Sequence, residues 1–196
     1  MSLPFTDDWL SPYDNPTVRL LWGRMEVERG VSLMHYLSHS ATARMIYKLK
    51  YGGCPDIGVG LGRLMAGIWQ KYGIFDGIDM IVPMPLHKSR ERRRGYNQCL
   101  MIAQGLSEVA HVPVRADVVQ RGRNTTSQAT LSMHQRMDNL ESAFIMPRPA
   151  LVEGKHVMLV DDIITTGSTL AACGRELNRA DGMKLSVATI GRAGEV

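Results

Sequence analysis

The chain predicts a doubly wound α/β fold, a mainly parallel sheet flanked by helices. Short apolar runs alternate with stretches of helical periodicity from about residue 31 to residue 190, which is the signature of a parallel sheet. One run, Val157–Val160, is apolar at every position, as a strand buried on both faces must be. Hydroxyl- and glycine-rich turn chemistry then leads from that run into a helical pattern.

The first 30 residues form an N-terminal extension. Pro4, Pro12 and Pro16, with Asp14-Asn15 before the last, mark loops and turns, and Thr17–Glu28 reads as a short helix. Residues 31–196 form the domain. Val31–Leu37 reads as a strand and Ala41–Tyr51 as a helix ended by Gly52-Gly53. Leu61, Leu64, Met65, Ile68 and Tyr72 recur at helical spacing. Asp79–Val82 is the next strand. The prolines of Pro83-Met84-Pro85 predict a stiffened loop running into a basic segment, and Arg94–Asn97 makes a turn with Asn97 as N-cap. Cys99, Ile102, Ala103, Leu106 and Ala110 give the following helix one apolar stripe. Val112–Val119 is strand-like despite Pro113. Residues 120–139 are polar, with Ser132–Leu140 as a candidate helix. His156–Val160 is a strand, Thr169–Ala180 a helix and Leu185–Ile190 the last strand.

With 196 residues, 44% of them hydrophobic, a single core is the simplest arrangement. No apolar run approaches the ~20 residues of a membrane span, and no charged start leads into an apolar signal region. A cytoplasmic location is expected. Cys54, Cys99 and Cys173 are isolated from one another, which argues against a disulfide framework and against a structural zinc site. Cys99 and Cys173 read as small core residues rather than nucleophiles. The formal charge is +4, and residues 88–94 (KSRERRR) carry five basic residues and one acid. One segment therefore holds the whole excess, so the chain has one electropositive site rather than a basic surface.

Chemistry concentrates in residues 157–169, VMLVDDIITTGST. In an open parallel sheet, ligands bind at the carboxyl ends of the strands, where Asp161 and Asp162 end this run. Thr165, Thr166, Gly167, Ser168 and Thr169 can turn backbone N–H groups and hydroxyls toward a phosphate, helped by the positive end of the next helix. Carboxylates repel phosphate but accept hydrogen bonds from sugar hydroxyls. A ribose 5-phosphate makes both demands. The lysine of a Walker A loop is missing. The alternative is an ordinary strand-to-helix turn with a Ser or Thr cap. The second segment, Val82–Gln98, places Pro85, Leu86, His87, Lys88 and Arg90 after a strand at the same sheet edge. Fixed cations there would stabilise negative charge on a phosphorylated ligand; a solvated basic surface is the alternative, and His87 is either a donor or a structural cap.

Residues 157–169 resemble the phosphoribosyl pyrophosphate (PRPP) signature of type I phosphoribosyltransferases. The resemblance implies that Asp161 and Asp162 hold the ribose hydroxyls, Thr165–Thr169 the 5-phosphate, and Pro85, Leu86, His87, Lys88 and Arg90 the leaving pyrophosphate. The stretch PMPLHKSRERRRGYNQ, with KLKY at Lys48–Tyr51 and the spaced Arg121, Arg123, Thr125, Gln128, Leu131, Arg136, Asn139 and Phe144, is similar to the ComF family of competence-associated, phosphoribosyltransferase-like proteins. Family members typically begin with a cysteine-rich, zinc-ribbon-like element; here no cysteine precedes Cys54. The resemblance implies a type I fold, here with little or no C-terminal hood. It also implies a loop that closes over PRPP and excludes water, with Arg121, Gln128 and Arg136 meeting substrate in the closed form. The implied cofactor is Mg²⁺, carried by the substrate, with Asp161 or Asp162 reaching it through water and no direct protein ligand.

Three functions are consistent with these residues. The first is phosphoribosyl transfer from Mg²⁺-PRPP to an unidentified nitrogen acceptor, linked to DNA uptake. The second is a non-catalytic PRPP- or nucleotide-sensing module, or an accessory of the DNA-uptake machinery. The third is nucleic-acid binding through residues 88–94.

Overall fold

Side chains of a strand alternate between its faces, and here each face has its own core. The structure, a computed structural model, is described for residues 3–122 and 143–194. Its main sheet contains β1 (Arg29–Tyr36), β2 (Met80–Pro83), β5 (His156–Ile164) and β6 (Lys184–Ala193), all parallel, in the order β1-β6-β5-β2. A two-stranded antiparallel ribbon pairs β3 (Gln120–Arg121) with β4 (Phe144–Ile145). Along β5, Val157 and Leu159 enter one hydrophobic cluster, Met158 and Val160 the other. The uniformly apolar run therefore has the physical cause expected of it.

The helices divide between the two faces. Ile46 and Leu49 of α2 (Ala41–Tyr51), Met65 and Trp69 of α3 (Pro55–Trp69), and Ile102 and Leu106 of α5 (Gln98–Ala110) share the core of Met158 and Val160. Leu170, Cys173 and Leu177 of α6 (Ser168–Leu177) fill the other. Adjacent strands β2 and β5 thus send their following helices to opposite faces. That makes a topological switch point, and the crevice of a doubly wound sheet lies at its carboxyl end.

Helices α3 and α5 touch backbone to backbone. A Cβ added at Gly62 would stand 2.2 Å from the Ile102 carbonyl oxygen, and one at Gly105 would stand 2.1 Å from that of Val59. No other residue fits at either position. This close crossing fixes where α5 begins, and α5 begins at the crevice.

Several boundaries differ from the sequence reading, each for a physical reason. Lys88–Arg94 is a helix, α4, rather than part of a stiffened loop: His87 caps its start and Gly95 ends it in the left-handed region (φ 86). Val112–Val119 is not a strand. Only Val114 bridges to Ile81, with Ile81 N donating to Pro113 O and Arg115 N to Ile81 O, each at 2.9 Å. The helix expected over Thr17–Glu28 shrinks to α1 (Pro16–Arg19). Strand β5 runs four residues past Val160, through both acids. The candidate helix Ser132–Leu140 lies outside the described residues. No helix among them is long and apolar enough to cross a membrane.

The N-terminal residues cover the outer part of the sheet through polar groups. Asp8 is fully buried; its carboxylate accepts from Thr17 Oγ1 (2.5 Å) and Ser32 N (3.1 Å) and faces Arg192 at 3.7 Å. Burial raises the Asp8 pKa above the usual carboxylate value, against the pull of Thr17 and Arg192. Asn15 caps α1 by accepting from Val18 N, and donates to the carbonyls of Ser11 and Gly30 at 2.9 and 2.7 Å.

At the opposite, amino-terminal edge, His156 is buried beside Arg29 (3.4 Å) and Ser186 Oγ (2.8 Å). Burial, and then the charge of Arg29, lower its pKa below the usual imidazole value. The unfolded chain therefore binds more protons at this residue than the folded one. The resulting stability is complete above the unfolded value of about 6.5 and is lost as pH falls below it. Urea unfolding should show the wild type losing more stability between pH 7.5 and pH 5.5 than His156→Gln; equal losses would remove His156 as the cause.

Candidate functional site

Strand β2 pairs with β5 only as far as Pro83 and Val160. Beyond that register β5 continues beside β6 alone, with Asp161 opposite Thr189. The next two residues of β5 are the acids, so the sheet delivers both carboxylates to the mouth of the crevice. They are nevertheless buried, at 9% and 4% exposure.

Buried carboxylates need partners, and these come from distant elements. Lys50 Nζ on α2 lies 2.7 Å from Asp162 Oδ1. Gln98 Nε2, in the first turn of α5, donates to Asp162 Oδ2 at 2.8 Å. Asp161 Oδ1 accepts from Cys99 Sγ at 3.3 Å and from the Asp162 N–H at 2.8 Å. Asp161 Oδ2 has no hydrogen-bond partner among the described residues. Burial, and then the neighbouring charge of Asp162, raise the Asp161 pKa well above the usual carboxylate range. Burial alone would lower the pKa of Lys50; the charges of Asp162 and Asp161 outweigh it and leave that pKa raised. Cys99 is wholly buried, and burial together with Asp161 holds its thiol protonated. It is a core residue, as expected, and also a donor to the acid pair.

The KLKY and RGYNQ stretches meet here. Tyr96 Oη donates to the Leu49 carbonyl, Asn97 Nδ2 donates to the Met84 carbonyl at 3.1 Å while its Oδ1 caps α5, and Arg94 donates to Gln98 Oε1. Each contact fixes Lys50 or Gln98 against Asp162.

After β5, Thr165–Thr169 turn into α6. Gly167 adopts φ 73 at the N-cap, and a pocket of about 40 Å³ opens between this turn and Asp161. The turn is braced from behind by the N-terminal segment. Arg24 donates to the Thr166 carbonyl and, at 2.8 Å, to Ser168 Oγ. A Cβ on Gly167 would stand 3.1 Å from the Leu20 carbonyl oxygen. All five residues of the expected phosphate turn are thus brought together beside Asp161.

The proline-basic segment is close by but largely open to solvent. Pro85, Leu86 and His87 are half-buried, Lys88 and Arg90 exposed. His87 Nδ1 accepts from Ser89 N at 3.3 Å, so its side chain acts as the cap of α4. Arg121 lies with its guanidinium 5.3 Å from the Phe144 ring centroid. Burial, and then the charge of Arg90, lower the Arg121 pKa, while Asp161 pulls it back. Arg90 and Asp161 are therefore both near enough to Arg121 for their charges to act on it. Gln128 and Arg136, with Arg123, Thr125, Leu131 and Asn139, lie outside the described residues.

Sequence reasoning gave no role to Lys50, Gln98 or Arg24. Lys50 and Gln98 did stand inside the KLKY and RGYNQ stretches, which was the available signal; Arg24 had none.

A cation could meet Cys99, Asp161 and Asp162, whose ligand atoms lie within 4.8 Å of one another. The donor set suits Mg²⁺ only in part, since Mg²⁺ takes oxygen ligands and a thiol is soft. Asp161 Oδ2 is the oxygen left for it.

Residues 96–195, just over half of the chain, match the family model described as the phosphoribosyl transferase domain. Among curated proteins, the chain is 36% identical to the DNA utilization protein YhgH of Escherichia coli K12 over 138 residues, 69% of this chain and 60% of that one. It is 36% identical to competence protein F of Haemophilus influenzae over 59% of this chain and 51% of that one. It is 32% identical to competence protein ComFC of Bacillus subtilis over 46% and 35%. The aligned parts thus span about 60% or less of these relatives. Among solved structures, a glutamine PRPP amidotransferase from B. subtilis, complexed with ADP and GMP, matches with a TM-score of 0.51 at 19% identity, over 73% of this chain and 30% of that one. The likeness shows the fold.

Proposed function

Because the chain belongs to the phosphoribosyl transferase domain family, in its competence-associated ComF branch, we propose that it binds Mg²⁺-PRPP and transfers the phosphoribosyl group to a nitrogen acceptor in the service of DNA uptake or utilization. The observation that carries the reading is one buried acid pair set beside a phosphate-sized turn at the switch point of the sheet. Asp161 and Asp162 would accept hydrogen bonds from the two ribose hydroxyls and offset positive charge that develops on the ring. The backbone and hydroxyls of Thr165–Thr169 would hold the 5-phosphate, with the N-terminus of α6 behind them. The Pro85–Arg90 stretch and Arg121 would face the departing pyrophosphate. Gln128 and Arg136 would belong to the loop that closes over it. Bound Mg²⁺ would neutralise pyrophosphate charge, held mainly by the substrate and reached through water by Asp161.

A second reading is a sensor that binds the same ligand without turnover. It is favoured by Asp162, whose two oxygens are already taken by Lys50 and Gln98. Calorimetry of the full chain with Mg²⁺-PRPP tests both. Binding tighter than that of ribose 5-phosphate is expected, and no detectable binding would sink the proposal. Pyrophosphate release on adding nitrogen acceptors identifies the enzyme; binding without release identifies the sensor.

A further inference from the structure

Beside the acid pair lies a cleft of about 480 Å³, within the roughly 300–1,000 Å³ usual for small-molecule sites. Two of its lining residues tie it to the ribose end of the site. Ile163 follows Asp162 on β5, and Lys50 is the residue paired with Asp162 at 2.7 Å. Its outer wall is aromatic. Tyr47 and Tyr51, one helical turn apart on α2, have ring centroids 5.2 Å apart and are 65% and 62% exposed. Arg94 lies 5.5 Å from the Tyr51 ring centroid. Large rings left in water on a cleft wall are an unspent stacking surface, since burial elsewhere would have removed them from solvent.

The charge of the cleft is one-sided. Arg44, Lys48 and Lys50 line it, and no carboxylate does. Lys50 is neutralised by Asp162, but Arg44 donates to the His39 carbonyl at 3.0 Å and meets no acid among the described residues. Lys48 likewise has no ion pair among them. His39, also on the wall, holds a left-handed backbone (φ 67), a conformation few side-chain-bearing residues adopt outside constrained loops.

We infer that this cleft is the acceptor site, and that it takes a planar nitrogen heteroaromatic ring bearing a negatively charged group. The inference rests on the phosphoribosyl-transfer reading above. The ring would stack on Tyr47 and Tyr51, and its anionic group, a ring carboxylate or a nucleotide phosphate, would meet Arg44 and Lys48. That seating turns the ring toward Ile163 and hence toward C1 of a ribose held by the acids. A ring nitrogen forms the bond to C1 as the bond from C1 to the pyrophosphate oxygen breaks. The electron pair leaves with pyrophosphate, and any proton on the nitrogen passes to water through the open mouth of the cleft.

The test uses the full chain, with and without Mg²⁺-PRPP, titrated by calorimetry with three probes. Orotate is a planar ring carboxylate, uracil is the same ring without the carboxylate, and thymidine 5′-monophosphate carries its charge on a phosphate. An anionic probe is expected to bind at least 10-fold tighter than uracil, and the tighter of the two identifies the source of the charge. Replacing the tyrosine that touches none of the residues holding the acids, Tyr47→Ala, should weaken that probe at least 10-fold and leave Mg²⁺-PRPP affinity unchanged; its exposure means the fold does not depend on it. Arg44→Gln should erase the preference over uracil. Uracil binding as tightly as the anionic probes, or an unchanged probe affinity in the tyrosine variant, would overturn the inference. If Mg²⁺-PRPP fails to bind while the anionic preference holds, the transfer reading fails and the ligand class of the cleft stands.

Discussion

Replacing both acids, Asp161→Asn with Asp162→Asn, should weaken Mg²⁺-PRPP binding by about 100-fold or more. Hydrogen bonds to ionised groups contribute about 1.5–3 kcal/mol each, and two sugar hydroxyls would lose such an acceptor together. The substitutions keep shape and remove charge, so the comparison isolates electrostatics. One side effect has to be separated from it. Asp162 is the counter-charge of Lys50, and removing it leaves that ammonium facing an amide at 2.7 Å. Breaking a fully buried pair costs roughly 3–5 kcal/mol. The Lys50 side chain keeps 22% of its surface exposed, so the penalty here should fall below that range. Calorimetry on the variant, with its thermal midpoint as the control for folding, decides the matter. Wild-type affinity in a folded variant would mean that the acids do not hold the ribose.

The largest expected effect on stability comes from one methyl group. Gly62→Ala should destabilise the protein by about 3 kcal/mol or more, although Ala is the better helix former by roughly 1 kcal/mol. The added carbon would overlap the backbone of α5, with the Ile102 oxygen at 2.2 Å and the Leu106 nitrogen at 2.8 Å. Backbone cannot swing aside as a side chain can, and overpacking of this kind costs about 1–3 kcal/mol even where side chains give way. At roughly 2–4 °C per kcal/mol for a chain of this size, the melting temperature should fall by about 6–12 °C. Gly60 and Gly67 lie on the same helix with nothing within 4 Å of an added Cβ. Alanine at either should be neutral or stabilising by up to about 1 kcal/mol. A Gly62→Ala melting point at or above wild type would show that α3 and α5 do not touch as described. The change should also reach the site, because displacing α5 moves Gln98 and Cys99, which hold the acids.

Local patterns were legible where local physics settled the matter. The helix Ala41–Tyr51 and its glycine stop, the Asn97 cap, and the buried strand before the acids were readable from periodicity, side-chain chemistry and apolar content. Helix α4 was not, because KSRERRR has no apolar stripe; capping by His87 starts it and a left-handed Gly95 ends it instead. The extension of β5 through Asp161 and Asp162 was hidden for another reason. Two acids in a strand look like its end unless a cation and hydrogen-bond donors satisfy them, and those partners lie on α2 and α5. Val112–Val119 failed as a strand because Pro113 has no N–H to donate, leaving only its carbonyl to join the edge of β2. The acids and the turn Thr165–Thr169 could be picked out from thirteen consecutive residues. Lys50 could not be assigned a role, since nothing local tells a helix-surface lysine from one that crosses to a strand.

The brace that Arg24 makes on the Thr165–Thr169 turn bears on whether the thirteen residues are a transferable cassette. Grafted onto another parallel strand, VMLVDDIITTGST would carry the carboxylates and the turn but not the lysine that neutralises Asp162, the glutamine that donates to it, or the arginine that ties down Thr166 and Ser168. In a foreign scaffold the acids would face desolvation without compensation. The signature is thus the visible part of a device assembled from residues 24 to 169, and it belongs to the scaffold as much as the scaffold belongs to it.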